Sequence, residues 1–181
     1  MAKLRRRLRV DSLELIGMKI VDARMYDEMF SHWVSWNDRG NLKNIRYPGV
    51  YVIAISRSHI AGLPFSWTRT IKYVGMTCSP SGIKGRLRQF DNTIIGKRGH
   101  GGADRFIYKH SDQTALKKKL YVSVVPFECD AAAAKPADLR TLGEVVKFEY
   151  LCLAEYRELF GKLPEFNRRT SPKASRARRE Q

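Results

Sequence analysis

Gly49-Val50-Tyr51-Val52-Ile53-Ala54-Ile55, Thr70-Ile71-Lys72-Tyr73-Val74-Gly75 and Ile83-Lys84-Gly85-Arg86-Leu87-Arg88-Gln89-Phe90 together decide the fold. The first run is opened by Pro48-Gly49 and reads as a strand after a turn. The second is closed by the turn-rich Cys78-Ser79-Pro80-Ser81-Gly82 and reads as its partner. Between them, Arg57 to Trp67 carries Gly62 and Pro64, which suit an irregular connection. The third stretch comes directly after and predicts a short basic helix with Arg86 near its start. Two phenols and a guanidinium are thus delivered from three neighbouring elements.

Working outward, Leu120-Tyr121-Val122-Ser123-Val124-Val125-Pro126-Phe127 is rich in β-branched residues and predicts a third strand. Lys117-Lys118-Lys119 before it reads as a solvated charged face. Pro136 suits the first turn of a long helix running to about Phe160. On that helix Leu142, Val145, Val146, Leu153, Tyr156 and Phe160 share a broad apolar face. Glu149 projects near the middle of this face and Glu155 lies at its border. A carboxylate turned toward a core needs a cation, a hydrogen-bond donor or a proton, so either is a candidate metal ligand. Upstream, Val21, Met25, Met29 and Trp33 recur at helical spacing and predict a packing helix over Ile20 to Trp36. The fold class expected is α+β: a small three-stranded antiparallel sheet flanked by helices.

The chain of 181 residues carries a formal net charge of +16, an excess that favours a polyanionic partner, nucleic acid before an anionic membrane or an acidic protein. Lys3, Arg5, Arg6, Arg7 and Arg9 form a basic arm, and Arg168 to Arg179 predicts a disordered basic tail. In Gly96-Lys97-Arg98-Gly99-His100-Gly101-Gly102-Ala103-Asp104-Arg105 the glycines allow close backbone approach, and Lys97, Arg98, His100 and Arg105 are candidate phosphate contacts, with Arg88 beside them. The Gly-Lys-Ser/Thr signature of a triphosphate-binding loop is missing. The three cysteines, Cys78, Cys129 and Cys152, are far apart, which fits reduced thiols and no zinc spacing. No apolar run is long enough to span a bilayer, and the basic start lacks a signal-peptide core, so the expectation is a cytoplasmic protein without a membrane partner.

Gly49-Val50-Tyr51, Tyr73-Val74-Gly75, the subsequent Arg86-Leu87 and the ending Pro164-Glu165-Phe166-Asn167 in this order resemble the GIY-YIG nuclease family. The resemblance runs from about Tyr47 to Asn167. It divides the chain into an arm and packing helix over 1–46, a nuclease-like domain over 47–167 and a tail over 168–181. It implies a metal-dependent DNA endonuclease, restriction-like or encoded by a phage or mobile element, that leaves 5′-phosphate and 3′-hydroxyl ends. Duplex DNA is the implied partner, with the protein a monomer or homodimer. By resemblance Tyr51 is the general base, Tyr73 positions the water or a phosphate oxygen, Arg86 clamps the scissile phosphate and Asn167 supports the site. Glu155 resembles the glutamate that holds one Mg²⁺ or Mn²⁺, with Glu149 the alternative. Two departures stand: the connection between the tyrosine motifs is long, and Leu159-Phe160 is displaced by about one position, little on a helical repeat. The competing reading is a basic DNA- or RNA-binding protein that keeps the scaffold without hydrolysing its ligand.

Overall fold

The structure, a computed structural model, describes residues 27–97 and 99–167. The basic arm, the first part of the expected packing helix, Arg98 and the tail lie outside the described residues. Among the described residues four strands form one sheet: β1 (Val34–Ser35), β2 (Gly49–Ile55), β3 (Ile71–Thr77) and β4 (Leu120–Pro126), in the order β1-β4-β2-β3. Every pairing is antiparallel. Strand β2 lies between two partners and is covered on both faces, which is why it reads as an unbroken apolar run.

Around the sheet lie the helices α1 (Gly82–Ile94), α2 (Gly101–Lys109), α3 (Gln113–Lys119) and α4 (Pro136–Phe160). Alternation along the strands sorts them into layers. Tyr51, Ile53, Val122 and Val124 point to one face, where Ile83, Leu87, Phe90 and Ile94 of α1, Phe106 of α2 and Leu116 of α3 cover them. Val50, Val52, Ala54 and Val74 point to the other, against Val145, Phe148, Cys152 and Tyr156 of α4. The sheet is therefore the middle layer of three. No described helix is long and apolar enough to cross a membrane.

Two expectations from the sequence are corrected. The sheet has a fourth strand, and the segment from Phe30 to Trp36 is not helical; of the described residues in the expected helix, 27–29 are helical. In a helix Trp33 and Trp36 would share a side, whereas Trp33 is buried with the α4 layer and Trp36 with the α1 layer. The extended backbone at β1, between Trp33 and Trp36, turns these two residues to opposite faces. The Trp36 N–H donates to Leu120 and the Ser31 N–H to Val124, both at 2.9 Å, which ties the segment to β4. Phe30 and Trp33 are buried on the α4 side of the sheet and Trp36, Leu42 and Ile45 on the α1 side, so the chain from Phe30 to Ile45 packs against both faces. On α4, Val146 is exposed, and the apolar stripe is Val145, Phe148, Cys152 and Tyr156.

Candidate active site

The site is built where β2 and β3 cross the starts of α1 and α2. Tyr51 stands opposite Gly75 and Ile53 opposite Tyr73, which places both phenols on the face covered by α1 and α2. Their ring centroids are 6.0 Å apart. Gly75 makes this approach possible: a Cβ there would lie 2.6 Å from the Tyr51 hydroxyl oxygen and 2.6 Å from Cε1 of Tyr73. Gly102 does the same from α2, since a Cβ would come within 2.8 Å of the Tyr73 ring.

Behind the phenols sits His100, the residue before α2. Its Nδ1 accepts from the backbone N–H groups of Gly102 at 3.0 Å and Ala103 at 3.2 Å. Its Nε2 lies 2.7 Å from the Tyr51 hydroxyl oxygen, and its backbone N–H donates to Thr93 Oγ1 at 2.8 Å. Burial, aided by the nearby Arg86 charge, pushes the imidazole down to about 3, so the ring is neutral across the physiological range.

Arg86 is the common neighbour. Nη1 donates to Gln89 Oε1 at 3.0 Å, and the buried Nε has no hydrogen-bond partner among the described residues. Burial pushes the Tyr51 phenol well above its usual value, Tyr73 adds to this, and Arg86 opposes both. Burial also raises Tyr73, again against Arg86. Glu149 is raised by burial and lowered in turn by Arg86 and by a hydrogen bond from the Met76 backbone. One guanidinium thus acts on two phenols, an imidazole and a carboxylate from four elements.

Several expected site residues are placed differently. Tyr51 is fully buried, so its oxygen meets His100 rather than solvent. Tyr73 is half-buried and is the more accessible phenol. Glu155 does not join Arg86: burial raises its carboxyl, and the charges acting on it are those of Glu158 and Asp27. The physical reason is helical geometry, because six positions along α4 turn a side chain by about 240° and move it about 9 Å from Glu149. Glu149, the alternative from the sequence, is the carboxylate that the structure brings to the site. Asn167 works on the backbone: its Oδ1 accepts from the Val74 N–H at 2.8 Å and its Nδ2 donates to the Val74 carbonyl at 2.7 Å. It fixes β3 between Tyr73 and Gly75.

Of the expected phosphate contacts, Arg88 and Lys97 are exposed, while Arg98 lies outside the described residues. His100, at 2% exposure, is buried beneath the phenols and does not face a ligand. Arg105 is half-buried and donates to the Phe166 carbonyl at 3.2 Å, with its charge felt by Tyr73 and His100. Sequence reasoning misses the pairing of His100 with Tyr51. The available signal is Gly101-Gly102 directly after the histidine, where missing side chains let a ring fold over the helix start.

Comparisons with protein-family models, with curated proteins and with solved structures find no significant match.

Proposed function

We propose that this protein is a metal-assisted nuclease that hydrolyses phosphodiester bonds, with DNA as the expected substrate. The observation that carries the reading is the convergence of Tyr73, Arg86 and Glu149, from β3, α1 and α4, around one positive centre. A guanidinium presents a planar fork of donors suited to two phosphate oxygens, and the Arg86 side chain is half-buried, not sealed in the core. Tyr73, raised above a usual value of about 10, keeps its proton at neutral pH, so it donates a hydrogen bond to a phosphate oxygen or orients the attacking water. Tyr51 backs Tyr73 from within the core and does not touch substrate.

Glu149 fits a magnesium or manganese ion by its chemistry. It is a hard oxygen donor whose burial a cation would relieve. Among the described residues no group of three or more potential ligands gathers, and Mg²⁺ is a cation that takes few protein oxygens and keeps several waters. When bound, the ion supplies charge stabilisation to the departing oxygen.

The test is magnesium-dependent cleavage of plasmid and oligonucleotide DNA. Tyr73→Phe, Arg86→Ala and Glu149→Gln are each expected to lower the rate by about 10²–10³-fold, the range for removing one stabilising group. Glu155→Gln is expected to cut at the wild-type rate. Equal cutting by all five proteins overturns the assignment, and selective loss in Glu155→Gln transfers the metal role to that residue. The sealed position of Tyr51 favours one second reading, a nucleic-acid-binding protein without hydrolysis. Its signature is tight binding with no nicked product at any magnesium concentration.

A further inference from the structure

Tyr51 and His100 form a buried polar pair in which the hydrogen-bond direction can be deduced. A nitrogen that accepts two backbone N–H groups carries no proton, and Nδ1 of His100 meets those of Gly102 and Ala103. The ring is neutral, so its single proton sits on Nε2. Nε2 faces the Tyr51 oxygen at 2.7 Å, which makes His100 the donor and Tyr51 the acceptor. The Tyr51 proton must then point elsewhere, and its nearest phenolic neighbour is Tyr73, across the space that Gly75 leaves open.

We propose that His100 is a positioning residue: it fixes the orientation of the Tyr51 hydroxyl, so that a one-way chain runs from the backbone at the start of α2 through His100 and Tyr51 to the Tyr73 oxygen. The chain aims donors at Tyr73 from behind and holds that oxygen in one orientation toward the open side. Arg86 from α1, Arg105 from α2 and Glu149 from α4 are the charged groups that face this cluster. The inference rests on the nuclease reading only for its catalytic consequence; the geometry is testable without it.

The experiment has a spectroscopic and a kinetic arm. In the full-length protein, long-range ¹⁵N correlation spectra of His100 are expected to show a bare Nδ1 and a protonated Nε2, unchanged between about pH 5 and 8. In Tyr51→Phe the Nε2 proton is expected to shift upfield and to exchange faster with solvent. A proton on Nδ1, titration of the ring within that range, or an Nε2 proton indifferent to Tyr51→Phe overturns the proposal. Kinetically, His100→Phe and Tyr51→Phe are each expected to lower kcat by about tenfold or more with KM nearly unchanged, and the double variant to be no slower than either single one. Multiplying defects would show that the two residues act separately and would overturn the chain. If wild-type protein cuts no DNA, the nuclease reading fails, and the spectra alone still decide the proposal.

Discussion

Gly75 shows how far one hydrogen atom in place of a methyl group reaches. Both phenols approach its Cα closely, and the space is taken by a hydroxyl on one side and a ring edge on the other. Rings set on paired strands cannot withdraw without moving the sheet. Gly75→Ala is expected to lower stability by about 1–3 kcal/mol, the usual range for overpacking, measured as a lower urea midpoint with an unchanged slope. Glycine at this position reads in the sequence only as part of Tyr73-Val74-Gly75; its reason becomes visible when Tyr51 is seen opposite it. The burial of Tyr51 is not legible in the sequence at all. A tyrosine in an apolar strand fits a core or a cleft equally well, and the deciding factor is α2, which arrives from fifty residues downstream to cover it.

At the scale of elements, local pattern predicts β2, β3, β4, α1 and α4 because each has a periodicity or punctuation of its own. It misplaces β1, whose conformation is set by β4 and not by its aromatic spacing. It also reads Glu149 and Glu155 from an apolar face one residue too wide, through Val146. With Val145, Phe148 and Cys152 as the true stripe, Glu149 falls on the flank beside β3, where the Met76 backbone meets it. Asp91 is a second element-scale device that pattern does not show. Its carboxylate bonds the Trp36 indole at 2.8 Å, pairs with Arg39 at 3.2 Å and takes Lys117 of α3 at 2.8 Å, tying three segments to α1. Burial raises this carboxyl, but the donors together outweigh it and hold the group below its ordinary 3.8. A depressed carboxylate contributes stability that is complete above the unfolded value and is lost as the pH falls through the folded one. Asp91→Asn is therefore expected to destabilise the protein by about 1–3 kcal/mol at pH 7, a difference that shrinks as the pH drops below about 3.8. Urea midpoints of the two proteins from neutral pH downward measure it.

Taken as a whole, the molecule has a charge of +16 and few acidic partners for its cations. Arg88 on α1 and Lys97 after it are exposed. Counterion release then governs affinity for a polyanion, so log K should fall linearly with log salt, by about 0.9 per phosphate contacted on duplex DNA. Replacing Arg88 and Lys97 together by alanine is expected to flatten that slope by about 2 units while leaving the rate at saturating DNA unchanged. A slope indifferent to the double replacement would place the binding face elsewhere. Charge is the most readily legible property of the chain, yet it carries no geometry, and only the folded layers say which cations stand beside Tyr73.

The paired amide of Asn167 and the seat of Glu149 have a consequence for the company this protein keeps. Among the described residues strand β3 closes one side of the sheet, and such a margin ordinarily offers free N–H and C=O groups to any passing polypeptide. At Val74 both groups are taken by a side chain, and at Met76 the N–H is given to a carboxylate. The opposite margin, β1, is only two residues long. Sheet extension by a neighbouring chain is thereby discouraged at both ends, and the residues that steady the site also guard the fold against aggregation.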